Sequence, residues 1–368
     1  MRLVVTVPWR ELLGGAEIML WRFLSHLDAE RFQTTVVFLE PGPFQDEVAA
    51  LPGIRTVAVP IARLRDLRRT GAATRALTHV VRDARPDLVL NWVAKAQLYG
   101  AAAATMAGLG DRVVWWQHGI PHGHWMDRLA TALPARAVGC SSTTAAWAQA
   151  RLPPHRPTFV VHPGVEPGRV APLSRAALGI AEQRTVVGIV GRLQPWKGQH
   201  RVIEAIGRLR DSGHDVHALV VGGDAHNLSP EYARLLHCRI AELGLTDRVT
   251  MTGQIRDPAS HIAAMDVLVN ASVGEPFGMV VLEGMAQQVA VVAVGDAGPR
   301  DIVEDGVSGV LVARADAGLI AAGVDGLLVD GQRRRRIAAA GRERLMARFT
   351  AQTMTERLQD VLEDLRPR

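Results

Sequence analysis

The chain has 368 residues, 48% of them hydrophobic and 21% charged, and 42 Lys+Arg against 37 Asp+Glu give a net charge of +5. This balance excludes a disordered chain, a collagen-like repeat and a continuous coiled coil. It also lacks the clustered basic character of a nucleic-acid binder, and at about 150 residues per domain the length divides into two lobes.

Short apolar, β-branched runs fall at residues 3–7, 34–38, 56–59, 88–90, 113–116, 137–139 and 158–161. Helical patterns at 16–27, 67–84 and 98–107 lie among them. Continuous apolar strands alternating with amphipathic helices predict a parallel sheet covered on both faces. Residues 163–172 hold three prolines and two glycines and read as a linker. Beyond it the alternation resumes, with strands at 186–190, 218–221, 249–251, 267–269, 291–294 and 309–312. Helices are expected there at 200–210, 231–243, 260–264, 280–286 and 333–348. The fold class is therefore α/β: two Rossmann-like, doubly wound parallel-sheet domains, 1–165 and 170–350, facing an interdomain cleft. A last amphipathic helix, within 351–368, follows the second sheet and is free to pack elsewhere.

Cys140 and Cys238 are too far apart in sequence to suggest a disulfide framework, so a reducing, cytoplasmic compartment fits. The first apolar run reaches charge at Arg10 and Glu11, too soon for a secretory signal. No run approaches the ~20 apolar residues of a membrane span. All but two of the basic residues are arginine, as expected of a GC-rich coding sequence, so Lys95 and Lys197 each call for a reason. The arginine-rich stretch from Arg63 to Arg69 could attract phosphate or an anionic membrane surface.

Ligands of open α/β sheets sit beyond the carboxyl ends of the strands. After the strand at 267–269 come Glu275, Pro276, Phe277, Gly278, Met279 and Val280, leading into an apolar helix with Glu283 inside it. The first amides of that helix lack intrahelical acceptors and suit a diphosphate. Two carboxylates eight residues apart suit separate sets of hydroxyls, such as a sugar and a ribose. The plainer alternative is an ordinary buried helix with one capping Glu. After the strand at 186–190, Gly191, Arg192, Lys197 and Gly198 offer two cations that can converge on phosphates, or else a solvated surface turn. Gly14 and Gly15 after the first strand allow close backbone approach, although tight turns use glycine equally. His118 ends the strand at 113–116, where an imidazole can bond a sugar hydroxyl or serve only the core. His122 and His124 lack a carboxylate or thiolate partner nearby, so no metal site is expected. No Asp-x-Asp pair, nucleophile elbow or Walker loop occurs.

Together these motifs resemble the retaining glycosyltransferases of family 4, which have the GT-B fold and a C-terminal domain like that of glycogen synthase. The resemblance rests on Glu275-x7-Glu283, on Gly191-Arg192 and Lys197-Gly198, and on Gly298-Pro299-Arg300-Asp301 with the segment from Asp305 to Gly309. Gly14-Gly15-Ala16-Glu17, Gln117-His118-Gly119 and the segment from Val161 to Glu166 extend it more thinly through the first half. Asp301, Gln288, Ala290 and Glu166 depart from the usual pattern, which bears on donor-sugar preference.

The resemblance implies transfer of a sugar from a nucleoside-diphosphate donor, UDP by frequency, to an acceptor hydroxyl, without metal or other cofactor. Arg192 and Lys197 would neutralise the diphosphate, Glu283 would bind ribose, and Glu275 would contact the sugar. The amides after Phe277, at Gly278, Met279 and Val280, would bind phosphate and sugar beside Gly191, and Ile255 would meet the base. Gly15 would lie against the diphosphate from the first domain, and His118 would sit near the reacting carbon. The tail helix would cross back to the first domain. That domain would bind the acceptor, a glycan, lipid-linked sugar or natural product, with Asn91 and Lys95 as candidates. The rival readings are a nucleotide-sugar epimerase of the same fold and a non-catalytic nucleotide-sugar binder.

Overall fold

The computed structural model describes residues 1–12, 14–61, 66–224 and 229–367. Arg63 and Arg65 of the arginine-rich stretch thus lie outside the described residues, while Arg68 and Arg69 are exposed near the start of the helix Leu67–Ala84. Two compact units emerge: Met1–Gly164 together with Ala351–Arg368, and Val165–Thr350.

In the first unit the strands are β1 (Arg2–Val7), β2 (Gln33–Phe38), β3 (Ile54–Ala58), β4 (Leu88–Trp92), β5 (Val113–Gln117), β6 (Ala137–Cys140) and β7 (Thr158–Val160). They form one parallel sheet in the order β3-β2-β1-β4-β5-β6-β7. The second unit has β8 (Thr185–Val190), β9 (Val216–Val221), β10 (Val249–Met251), β11 (Val267–Asn270), β12 (Ala290–Val294) and β13 (Val310–Val312). Its parallel order is β10-β9-β8-β11-β12-β13. Every strand expected from the sequence is present, with ends shifted by two residues at most. In each sheet the chain order reverses once, between β1 and β4 and between β8 and β11, and crossovers leave a crevice at such a point.

The central strands are mostly apolar because both faces are covered, with Thr6, Asn91 and Asn270 as buried polar exceptions. In the first sheet, Phe23, Trp92 and Trp116 fill one face, and Leu77, Tyr99 and Trp115 the other. In the second, Ile203, Leu236 and Val324 line one face, and Leu282, Met285 and Leu345 the other. Cys140 and Cys238 are both free thiols, and burial pushes the pKa of Cys140 up to about 12. No helix among the described residues is long and apolar enough to cross a membrane.

The tail helix Ala351–Asp364 belongs to the first unit. Met354, Leu358 and Leu362 recur on one face at helical spacing and enter the core beside Phe23 and Trp92. Outside that face, Arg31 bridges Asp360 at 3.2 Å and Glu363 at 2.8 Å, and the Gln359 side chain accepts from the Asp28 amide at 2.8 Å. The exposed Arg31 pairs contribute little, and the apolar face does most of the anchoring. Leu358→Ala should therefore destabilise the chain by about 2–5 kcal/mol in urea unfolding. A loss below about 0.5 kcal/mol, the scale of an ordinary surface change, would show the helix is not part of that core.

Candidate functional site

Two loops leave adjacent strands at the reversal in the second sheet. The loop after β8 is tied to the end of β9, with Gly191 N–H donating to Val221 O at 2.9 Å and Leu193 N–H to Gly223 O at 3.0 Å. It ends in a short turn, Pro195–Lys197, and then Gly198 at φ 79° opens the helix Gln199–Asp211. A Cβ at position 198 would lie 2.4 Å from the Ala271 carbonyl oxygen, so glycine is required where the two loops meet. The Val273 amide donates to Trp196 O at 2.8 Å and locks them together.

The consequence is an ion pair. Lys197 Nζ reaches Glu275 Oε2 at 2.7 Å, with the two side chains only 18% and 9% exposed. The Trp196 ring covers the ammonium, its centroid 4.1 Å from Nζ. Two ions withdrawn from water need close geometry to offset their lost hydration, and removing one partner strands the other.

The loop after β11 is braced from β12. Gly298 N–H donates to Glu275 O at 2.9 Å, and Gly274 N–H to Asp296 Oδ2 at 3.0 Å. Gly278, at φ 105°, then starts the helix Met279–Ala286. Val281 N–H folds back to Gly278 O at 2.9 Å, so the amides of Met279 and Val280 are the ones without an acceptor inside the helix. Their dipoles give that end a positive potential. Phe277 turns its ring into the core beside Phe349, 6.3 Å between centroids, which leaves its backbone to the loop. Glu283 is half-buried one turn further on. Arg192 is exposed, and its carbonyl accepts from Gln199 Nε2 at 2.9 Å. Ile255 is half-buried after β10, where Gly253 O accepts from Gly222 N–H at 3.1 Å. The second unit thus brings Gly191, Lys197, Glu275 and the Gly278 helix start to neighbouring loops at one end of one sheet, with Arg192 on the same loop as Lys197.

In the first unit, Gly15 is exposed at the start of the helix Gly15–Ser25. Trp92, ending β4, donates from Nε1 to Ala16 O at 3.0 Å and stacks on Trp116 at 5.2 Å. His118 tilts against Trp92 at 5.0 Å and Trp116 at 6.1 Å. The residue keeps some surface, but its Nε2 is closed off and has no hydrogen-bond partner. Burial of the ring lowers its pKa to about 3, so the imidazole is neutral at neutral pH.

Asn91 corrects an expectation. Its side chain is fully buried, accepting from Thr6 Oγ1 at 2.6 Å and donating to Gln97 Oε1 at 2.8 Å. With those bonds made to β1 and to the helix that follows β4, Asn91 is tied into the core and does not face an acceptor. Lys95 is exposed and paired with Glu40. Trp196, Gln199 and Asp296 were not singled out by the sequence. The neighbourhood of Lys197 could have pointed to the first two, whereas nothing in the sequence marks Asp296.

Comparison with known proteins gives these loops a setting. A family model described as glycosyl transferases group 1 matches residues 171–344, and one described as glycosyltransferase family 4 matches residues 13–169. The lipopolysaccharide core biosynthesis glycosyltransferase LpsE of Rhizobium meliloti (strain 1021) is 29% identical over 93% of this chain and 94% of its own. A D-inositol 3-phosphate glycosyltransferase of Stackebrandtia nassauensis is 35% identical, over 52% of this chain and 45% of its own. Anabaena HepE, solved in complex with UDP and glucose, superposes with a TM-score of 0.84 at 26% identity over 99% of both chains. WaaG, a glycosyltransferase involved in lipopolysaccharide biosynthesis, shares the fold at a TM-score of 0.73 and 18% identity, over 98% of this chain and 99% of its own.

Two tests follow from the geometry. In a double-mutant cycle on folding stability, Lys197→Met should cost about 3 kcal/mol by stranding the Glu275 carboxylate. Adding Glu275→Gln should recover more than about 1 kcal/mol of that loss, and coupling near zero would mean the pair does not form. For His118, the unfolded chain takes up a proton below the ordinary value of 6.5 that the folded chain refuses until about 3. Stability should therefore fall on acidification through that window by up to about 1.4 kcal/mol per pH unit. His118→Phe should flatten the fall in urea unfolding at graded pH, and an unchanged slope would contradict the burial.

Proposed function

We propose a donor and a mechanism for this chain, which belongs to the group 1 glycosyltransferases and has the GT-B fold. It moves a hexose from a UDP-sugar to an acceptor hydroxyl, with retention of configuration and without a divalent metal. The observation that carries this reading is the Lys197–Glu275 contact of 2.7 Å, made where β8 and β11 adjoin and on the same loop as the Gly278 helix start. The UDP-glucose complex of HepE, 26% identical over 99% of this chain, supports the choice of donor.

The chemistry asks for neutralisation of a leaving diphosphate. As the bond from the anomeric carbon to the β-phosphate oxygen breaks, negative charge grows on that oxygen. Lys197, Arg192 and the amides of Met279 and Val280 supply fixed positive charge for it, which is the role assigned elsewhere to a metal ion. Glu275 holds the Lys197 ammonium in place before the donor arrives. Once the diphosphate engages that ammonium, the carboxylate accepts from hydroxyls of the sugar. Glu283, deeper in the helix, takes the ribose hydroxyls. The acceptor oxygen attacks from the face the diphosphate leaves, and its proton passes to a phosphate oxygen of the departing UDP. Lys95, exposed beside Glu40 in the first unit, is the remaining acceptor candidate.

Arg192 is exposed, so its replacement should leave the fold intact. Arg192→Ala should lower kcat/KM for UDP-glucose by on the order of 10²–10³-fold, the effect of losing one charge-stabilising group. Turnover by the wild-type chain should persist in EDTA, and NMR should show the product with the donor's anomeric configuration. Activity abolished by EDTA, or a near wild-type Arg192→Ala, would contradict the mechanism.

A further inference from the structure

Behind the Gly191–Lys197 loop lies a buried polar chain that the proposed chemistry does not use. Gln199 is the first residue of its helix and is completely buried. Its Nε2 lies 2.9 Å from Arg192 O and 3.5 Å from Gly191 O. Its Oε1 lies 3.2 Å from the hydroxyl of Tyr232, a residue 7% exposed on the helix Pro230–Glu242. That hydroxyl also meets the His200 amide at 3.2 Å and His200 Nδ1 at 2.8 Å.

The orientation of the Gln199 amide is forced. Carbonyl oxygens only accept, so Nε2 must be the amide atom facing the loop, and Oε1 must face the phenol. With His200 protonated on Nδ1, that nitrogen donates to the phenol and the phenol gives its one proton to Gln199. Every member is satisfied in one orientation, the condition under which a buried network fixes geometry instead of weakening a core.

The network has a directional effect on the loop. Within one peptide unit the carbonyl and the next N–H point opposite ways. Drawing Gly191 O inward turns the Arg192 N–H outward, and drawing Arg192 O inward fixes the backbone from which the guanidinium projects. We infer that Tyr232 and Gln199 are positioning residues that hold Arg192 and its amide toward the donor diphosphate. The inference rests on the donor reading above and concerns residues that touch no substrate themselves.

Isothermal titration of UDP and of uridine tests it in wild type, Tyr232→Phe, Gln199→Leu and Arg192→Ala, with a Tyr232→Phe/Arg192→Ala double variant. Tyr232→Phe removes a single oxygen, which keeps the test open even where Gln199→Leu does not fold. Tyr232→Phe should weaken UDP about 5- to 10-fold, by analogy with loss of one net hydrogen bond, and leave uridine within about twofold. In the Arg192→Ala background it should add less than its full effect, because the guanidinium is already gone while the backbone amide remains. UDP affinity unchanged in Tyr232→Phe, equal loss of UDP and uridine, or additivity with Arg192→Ala would overturn the inference. A wild-type chain that binds no UDP would fail at the donor reading and take the inference with it. Loss of UDP binding in Arg192→Ala but not in Tyr232→Phe would leave the donor reading standing and the positioning role refuted.

Discussion

A lysine and a glutamate 78 residues apart in sequence meet at 2.7 Å with little exposure to water. The contact constrains everything around it. For Lys197 to reach Glu275, the loops after β8 and β11 must touch, and this is why position 198 has no room for a Cβ against the Ala271 carbonyl. The bracing from Gly298 and Asp296 fixes the second loop, and the Val273 amide fastens it to Trp196. Withdrawn from water, such a pair is costly if its geometry slackens. The same pair that organises the loops therefore also sets the cation in place for chemistry.

Sheet topology explains why it forms there. Parallel strands joined by right-handed crossovers send consecutive loops to the same edge of the sheet. Where the chain order reverses, the flanking helices diverge, and the loops on either side face a common crevice. β8 and β11 are such neighbours, so residues far apart in sequence become adjacent without a dedicated motif linking them. β1 and β4 play the same part in the first sheet, where Thr6 and Asn91 pair across the reversal and Trp92 reaches the start of the first helix.

The strands were legible because strands buried on both faces must be apolar along their length, and β-branched runs mark them clearly. Several helices were not. Thr143–Ala150 buries mainly small residues, such as Ala145 and Ala146, which carry little periodic signal, and Trp125–Ala132 is only eight residues long. The helix after β4 begins at residue 93, five residues before the pattern suggested, and Val93 turns into it at φ 70°, a conformation a β-branched residue seldom takes. Within the candidate site, the rarity of lysine singled out Lys197, and the glycines pointed to the turns. Asn91 misled because sequence places a residue at a strand end without saying which hydrogen bonds claim its side chain. Gln199 lies just before the helix expected at 200–210, and only the direction of two carbonyls reveals its use.

The most direct test of the account is a crystal structure with UDP grown in EDTA. It should show diphosphate oxygens within about 3 Å of Lys197 Nζ and of the Met279 or Val280 amide, the distance of a charge-assisted hydrogen bond, with Arg192 turned toward the same group. A diphosphate lodged away from these groups, or one that binds only when a divalent ion bridges it to the protein, would contradict it.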